Sequence, residues 1–453
     1  MSEQPSTTAA FVVDVGSTFT KASLVALPTG ELLGRAETTT THGVGTGRPE
    51  VMDGVRRLAE RLGLSPTPGR DAEWLLCSSA GGGLRLAVVG YERQVTAEAG
   101  HRVGLSAGAR VVHVSAGPLD ATGLGALRDA RPDLVLLVGG TDGGNAEILR
   151  HNATRLATSR LPRGIPVVVA GNVDARDEVA ATLTAAGRTH VLADNVLPEI
   201  GVVAPMSARA AIREAFLRHV IGGKGLSRDP AFPRLVRAAT PDAVLRGVEV
   251  LADALGHDVL VVDVGGATTD VYSAVVPTGE DAGLRRDVVA HLTHERTVEA
   301  DLGMRWSAAG VLEAAARERL ETSSALPRYA ARLTTAPDHL PTTTEEQQLD
   351  LELARLAATI AVRRHGRPAA PGEQPRPLTD VGLVLGSGGA LRHNDTDEVA
   401  TLLHAVADDT GGGWRTPRHA RVAVDAAYQL VVAGLLADSH PGAATAAARR
   451  AAQ

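Results

Sequence analysis

Short runs of β-branched apolar residues that end in glycine punctuate this chain, and one run occurs twice. Near the start the order is Phe11-Val12-Val13-Asp14-Val15-Gly16-Ser17-Thr18, followed by Thr20 and Lys21. Past the midpoint it is Val261-Val262-Asp263-Val264-Gly265-Gly266-Ala267-Thr268-Thr269-Asp270, at a constant offset of 249. A second apolar stretch follows each copy, Ala22–Leu27 and Val271–Val276. An apolar run, a glycine and a returning apolar run predict a buried strand, a tight turn and a second strand. After the first hairpin, Val51, Val55, Leu58 and Leu62 recur at helical spacing over Pro49–Leu62. Trp74–Cys77 then reads as a strand running into a glycine loop at Gly81–Gly83.

Residues 105–200 have their own rhythm. Val111–Val114, Leu134–Val138, Val167–Ala170 and His190–Ala193 are short apolar runs separated by polar or helical stretches. That spacing predicts βαβ units and a small parallel sheet, whose ligands would sit at the carboxyl ends of the strands. Gly139–Asn145 occupies one such end, as a binding loop or a plain turn. Residues 206–256 read as helical around Gly222–Gly225, and helices are expected over about 303–321 and over Glu345–Arg364. The Thr-, Ser- and Pro-rich 322–345 reads as loop, and Gly366–Pro377 as a connector. Val381–Leu385 is a further strand, leading into Gly386-Ser387-Gly388-Gly389. A small-residue helix, Asp425–Ala437, closes the chain. The domain reading is 11–104 as the start of a first lobe, 105–200 inserted, 201–440 the remainder, and 1–10 and 441–453 flexible tails.

Composition narrows the class. With 453 residues, two or three domains and a large core are expected. Aromatics are only 2%, so Val, Leu, Ala and Ile must fill that core. A net charge of −6 argues against nucleic acid as the main partner. The single Cys77 cannot form an internal disulfide, no stretch reads as a signal peptide or a membrane span, and a cytoplasmic protein is expected.

The chemistry sits in the repeated turns. Glycine lets backbone N–H groups approach an anion closely, and hydroxyls add donors. An aspartate at a strand end can hold a hydrated divalent cation. Asp14 and Asp263 are therefore the expected Mg²⁺ carboxylates, acting through its waters. Gly16, Ser17, Thr18, Gly265, Gly266, Thr268 and Thr269 are the expected phosphate ligands, with Asp270 a candidate for orienting the second turn. Lys21 and Lys224 are the two lysines among 46 basic residues, and Lys21 lies in the first turn, where a compact ammonium suits phosphate oxygens. Gly386, Gly388 and Gly389 would lie flat against an adenine or ribose. Glu299 and Asp301 are candidates for orienting an attacking water, the alternative being an ordinary acidic loop.

These three turns resemble those of the actin and sugar-kinase ATPase superfamily. The resemblance implies an α/β, actin-like ATPase fold of two duplicated, ribonuclease-H-like lobes with an inserted α/β domain. Over about 11–440 the chain is similar to the MutL/GlmL family, the glutamate-mutase-associated proteins rather than the mismatch-repair protein of the same name. Cys77-Ser-Ser-Ala-Gly, Thr96-Ala-Glu-Ala, Gly139-Gly-Thr-Asp-Gly-Gly-Asn, Asn195-Val-Leu-Pro-Glu-Ile-Gly and Arg296-Thr-Val-Glu-Ala-Asp-Leu-Gly-Met carry that likeness. It implies an ATP-dependent reactivating chaperone of an adenosylcobalamin-dependent mutase. ATP and Mg²⁺ would be bound here and the cobalamin by the mutase partner, with a homo-oligomer open. A small-molecule kinase and a nucleotide-binding scaffold are the competing classes. Gly81, where a second Ala is expected, departs from the pattern.

Overall fold

The structure is a computed structural model. It describes residues 8–16, 19–41, 50–80, 84–92, 96–107, 109–221, 225–275, 294–368, 375–376, 378–411, 417 and 419–453. Two compact units divide it. The first holds the described residues of Met1–Arg246 and Val431–Ala446, the second those of Gly247–Ala282, Thr293–Leu430 and Ala447–Gln453.

Strands of the first unit are β1 (Ala9–Val15), β2 (Phe19–Ala26), β3 (Leu32–Thr39), β4 (Glu73–Ser78), β5 (Arg85–Gly90), β6 (Arg110–Ala116), β7 (Leu134–Leu137), β8 (Val167–Val169), β9 (His190–Leu192) and β10 (Val236–Ala239). One five-stranded sheet has the order β10-β4-β1-β2-β3. Its first three strands form an antiparallel meander, and β4 and β10 add in parallel. Strand β1 is buried almost throughout, whereas β3 alternates half-buried and exposed, as an edge strand with one wet face does. Phe11 and Trp74 meet edge to face at 4.8 Å across β1 and β4, a rare aromatic anchor in an aliphatic core.

The second unit repeats that plan. Its strands are β11 (Val259–Val264), β12 (Thr269–Ala274), β13 (His294–Glu299), β14 (Leu383–Ser387) and β15 (Arg421–Val424). Their order is β13-β12-β11-β14-β15, again an antiparallel meander extended by two parallel strands. Strand for strand, β1, β2, β3, β4 and β10 correspond to β11, β12, β13, β14 and β15. What repeats is thus a whole sheet, with the Asp-x-Gly turn at the same corner of each.

The third sheet is all parallel, in the order β6-β5-β7-β8-β9. The second strand in that order, β5 (Arg85–Gly90), precedes the expected boundary at 105. The four later runs supply the other strands, so this parallel sheet begins about twenty residues earlier than the spacing indicated. Both faces of β7 and β8 are buried, which explains their unbroken apolar sequences.

Three helical findings differ from expectation. Leu326–Thr335 is a helix inside the stretch read as loop, because Leu326, Tyr329, Ala330 and Leu333 make a buried stripe behind a proline placed in the first turn. Pro441–Ala451 is a helix rather than a tail, with Ala443, Ala444, Ala447 and Ala448 buried. Val236–Ala239 interrupts the helical stretch 206–256 as a strand. The helix Thr344–Gly366 forms as expected: Thr343 accepts the Glu346 amide at 3.2 Å and caps it. No described helix is long and apolar enough to cross a membrane.

Candidate functional site

In the first unit, β1 ends at the turn. Gly16 N–H donates to Phe19 O at 3.0 Å, and a Cβ at Gly16 would lie 2.7 Å from that oxygen. The Thr40 hydroxyl donates to Gly16 O at 2.7 Å and fixes the turn from outside. Asp14 lies directly across from Lys21 in the hairpin register, and across from Cys77 on β4. Such pairs share a face of the sheet, so an ammonium and a carboxylate stand side by side at the strand end. Two donors converge on Asp14 Oδ1: the Thr240 hydroxyl at 2.6 Å and the Cys77 thiol at 3.5 Å. Burial pushes the Cys77 thiol well up, helped by the Asp14 charge, so it stays protonated. Ser17, Thr18, Gly81–Gly83 and the loop at Gly222–Lys224 lie outside the described residues.

The second unit closes its turn the same way. Gly265 N–H donates to Thr268 O at 2.9 Å, and a Cβ at Gly265 would lie 2.8 Å from that oxygen. The amides of Met304, Arg305 and Trp306 donate to the carbonyls of Gly265 and Gly266 at 2.8–3.0 Å. Arg305 in turn is clamped on buried Asp350 at 2.9 and 3.1 Å. With its carbonyls occupied, the turn keeps its N–H groups: among the described residues, no acceptor takes the amides of Gly266, Ala267 or Thr268. Three successive unpaired amides on a half-exposed turn are chemically suited to an anion.

Asp270 lies across from Asp263 in this hairpin, as Lys21 lies across from Asp14. Arg296 offsets its charge with a bond of 2.9 Å to Oδ1, and the Thr268 hydroxyl donates to Oδ2 at 3.1 Å. Thr269 departs from its expected phosphate-binding role: it is fully buried, and its hydroxyl donates to Leu302 O at 2.6 Å. Adjacent strand residues point to opposite faces, and Thr269 takes the inner one.

The third turn stands beside the second. Ser387 pairs with Asp263, and a Cβ at Gly388 (φ 102) would lie 2.2 Å from Val264 O. Gly386 is a strand residue instead of a turn residue; a Cβ there would lie 3.0 Å from the Leu391 and Leu403 side chains that pack over it. Gly389 opens the short helix Gly389–Arg392. The Arg392 guanidinium then stacks 3.5 Å above the Tyr428 ring.

Glu299 and Asp301 are held by one guanidinium. Arg364 donates to Glu299 at 2.6 Å and to both oxygens of Asp301 at 2.7 and 2.9 Å. Burial pushes the Glu299 carboxyl up, whereas the Arg364 bonds hold Asp301 below the usual carboxylate range. A cavity of about 500 Å³, lined by Asp253, His257, Asp258, His294 and Asp380, lies at the opposite end of β11 from these turns.

The profile of the family described as "MutL protein" matches residues 10–451. The curated "Protein MutL" of Clostridium tetanomorphum is 33% identical over 460 residues, spanning 95% of this chain and 96% of that protein. Solved structures are similar only remotely. An ATP-dependent caprolactamase from Pseudomonas jessenii shares 14% identity over 94% of this chain and 70% of its own, with a TM-score of 0.38. An activator of the 2-hydroxyisocaproyl-CoA dehydratase from Clostridium difficile, with bound ADPNP, shares 11% over 98% and 95%, with a TM-score of 0.31.

Proposed function

Since the chain belongs to the MutL family, we propose that it is an ATP-dependent reactivating chaperone of an adenosylcobalamin-dependent mutase, glutamate mutase being the first candidate. The observation that carries the nucleotide half of this reading is the repeated sheet with an Asp-x-Gly turn at the same corner of each copy. The residues fit a magnesium nucleotide. Each aspartate ends a buried strand beside a glycine turn, and the second turn leaves three amides unpaired.

In this reading Asp14 and Asp263 hold Mg²⁺ through its waters, which that ion gives up reluctantly. The turns at Gly16 and at Gly265–Thr268, with Lys21, take the phosphates. Gly388 and Gly389 take the nucleoside. Mg²⁺ supplies charge neutralisation on the phosphates, and the chain supplies position. Lys21 suits the β- and γ-phosphates as a point charge. The chain would act as a slow ATPase whose nucleotide state biases its conformation toward or away from the mutase. A nearly complete switch requires the two nucleotide states to discriminate by about 5.5 kcal/mol. The mutase, not this chain, would carry the cobalamin.

A small-molecule kinase needs an acidic base aimed at a substrate hydroxyl. The acid in the first turn of the helix Thr240–Leu255, Asp242, is spent on Arg213 at 2.7 Å and on Arg209 at 3.8 Å. The test is Asp263→Ala, assayed for ATP hydrolysis and for rescue of inactivated glutamate mutase. Loss of both supports the coupling, and rescue without hydrolysis defeats it.

A further inference from the structure

Thr240 ends the run of β10 and opens a 16-residue helix, two strands from Asp14 in the first sheet. A hydrogen bond between residues 226 apart in sequence joins the two, the Thr240 hydroxyl donating to Asp14 Oδ1 at 2.6 Å. The hydroxyl also lies 3.6 Å from the Cys77 sulfur, whose own donor points at the same carboxylate oxygen. Both donors therefore crowd Oδ1. Among the described residues, no side chain donates to Oδ2.

The repeated sheet sharpens the point. In the second unit, β15 is followed by Asp425, which caps its own helix by accepting the amides of Gln429 and Leu430 at 2.7 and 3.0 Å. In the first unit the residue after the equivalent strand reaches the turn aspartate instead. Thr is also stiff at χ1, so its hydroxyl direction is set by the backbone.

We infer that Thr240 is a positioning residue for magnesium: by occupying Oδ1 of Asp14 it commits Oδ2 to the hydrated cation. This rests on the nucleotide reading above. Without the hydroxyl, Oδ1 regains freedom to rotate into competing contacts, and the preorganisation of the metal's anchor is lost.

The test titrates Mg²⁺ into the full chain with a fluorescent ATP analogue, reading nucleotide affinity rather than turnover. In T240V the Mg²⁺ concentration for half-maximal binding should rise about tenfold or more, as loss of a charge-assisted hydrogen bond implies. Affinity for the nucleotide without metal should stay within about twofold of wild type, because Thr240 makes no claim on phosphate. T240S, which keeps the hydroxyl, should restore the magnesium requirement to within about threefold. T240A repeats the measurement should T240V not fold. An unchanged magnesium requirement in T240V or T240A, with D14N abolishing it, overturns the inference alone. An unchanged requirement in D14N as well overturns the nucleotide reading with it.

Discussion

Replacing Arg296 with Met should cost the second unit about 3–5 kcal/mol, the usual result of stripping one partner from a buried ion pair. Both side chains are nearly sealed from solvent, at 5% for Arg296 and 12% for Asp270, so water cannot take over the lost bond. Among the described residues, the substitution leaves Asp270 the Thr268 hydroxyl as its side-chain donor, on the sheet face it shares with Asp263. It also removes the guanidinium 5.6 Å from the centre of the Tyr272 ring. Asp270 and Asp263 would then share that face with the Arg296 cation gone. For a unit of this size each kcal/mol moves Tm by about 2–4 °C, so a drop of about 10 °C is expected. Thermal unfolding followed by calorimetry, in the absence of nucleotide, resolves it. Adding D270N to R296M removes the stranded charge while keeping an acceptor for Thr268, and should recover about half the loss. Stability of R296M within 1 kcal/mol of wild type, or no recovery in R296M/D270N, would refute the reasoning.

Other outcomes follow from single contacts. G388A should lose nucleotide binding by at least about tenfold and fold less stably, because φ 102 and a Cβ 2.2 Å from Val264 O are both intolerable to alanine; binding by equilibrium dialysis checks it. His365 is buried between the Ser273 and Thr297 hydroxyls at 2.9 and 3.0 Å, and burial drops its pKa well below 6.5. The unfolded chain then binds the extra proton, so stability falls as pH drops below about 6.5, by up to about 2 kcal/mol at pH 5; urea titrations should show H365Q lacking that dependence. Asp301 is held low by Arg364, so its contribution is present above the ordinary carboxylate range and fades as pH falls through its depressed value. R364M should remove that acid-side slope, and an unchanged slope would assign it to other carboxylates.

The repeat was legible because strand and turn chemistry are local. Asp14 and Asp263, with the glycines two residues on, announce a duplicated hairpin, and the duplicated sheets follow from the apolar runs around them. What stayed hidden depends on contacts distant in sequence. Thr240 has no local signature, since its task exists only because β10 ends two strands from the end of β1. The Asp270–Arg296 pair is set by the diagonal register of β12 and β13, which spacing along the chain does not encode. The inward turn of Thr269 follows from strand alternation one residue beyond the glycine turn, where a run of two threonines looks equivalent. Strand β5 is a short apolar run, Leu86–Val89, just past the glycine cluster Gly81–Gly83, with no helical stretch before it to mark a βαβ unit. The alanine helix Pro441–Ala451 lacks large apolar residues, so its buried face is built from methyl groups that hydropathy patterns weigh lightly.

The account turns on both aspartate hairpins serving one nucleotide. Counting ATP bound per chain at saturating Mg²⁺, for wild type, D14N and D263N, addresses that directly. One site per chain in wild type, lost by at least about tenfold in affinity in each single variant, is the expected result. Two sites per chain, or full binding retained when either carboxylate is removed, would contradict it.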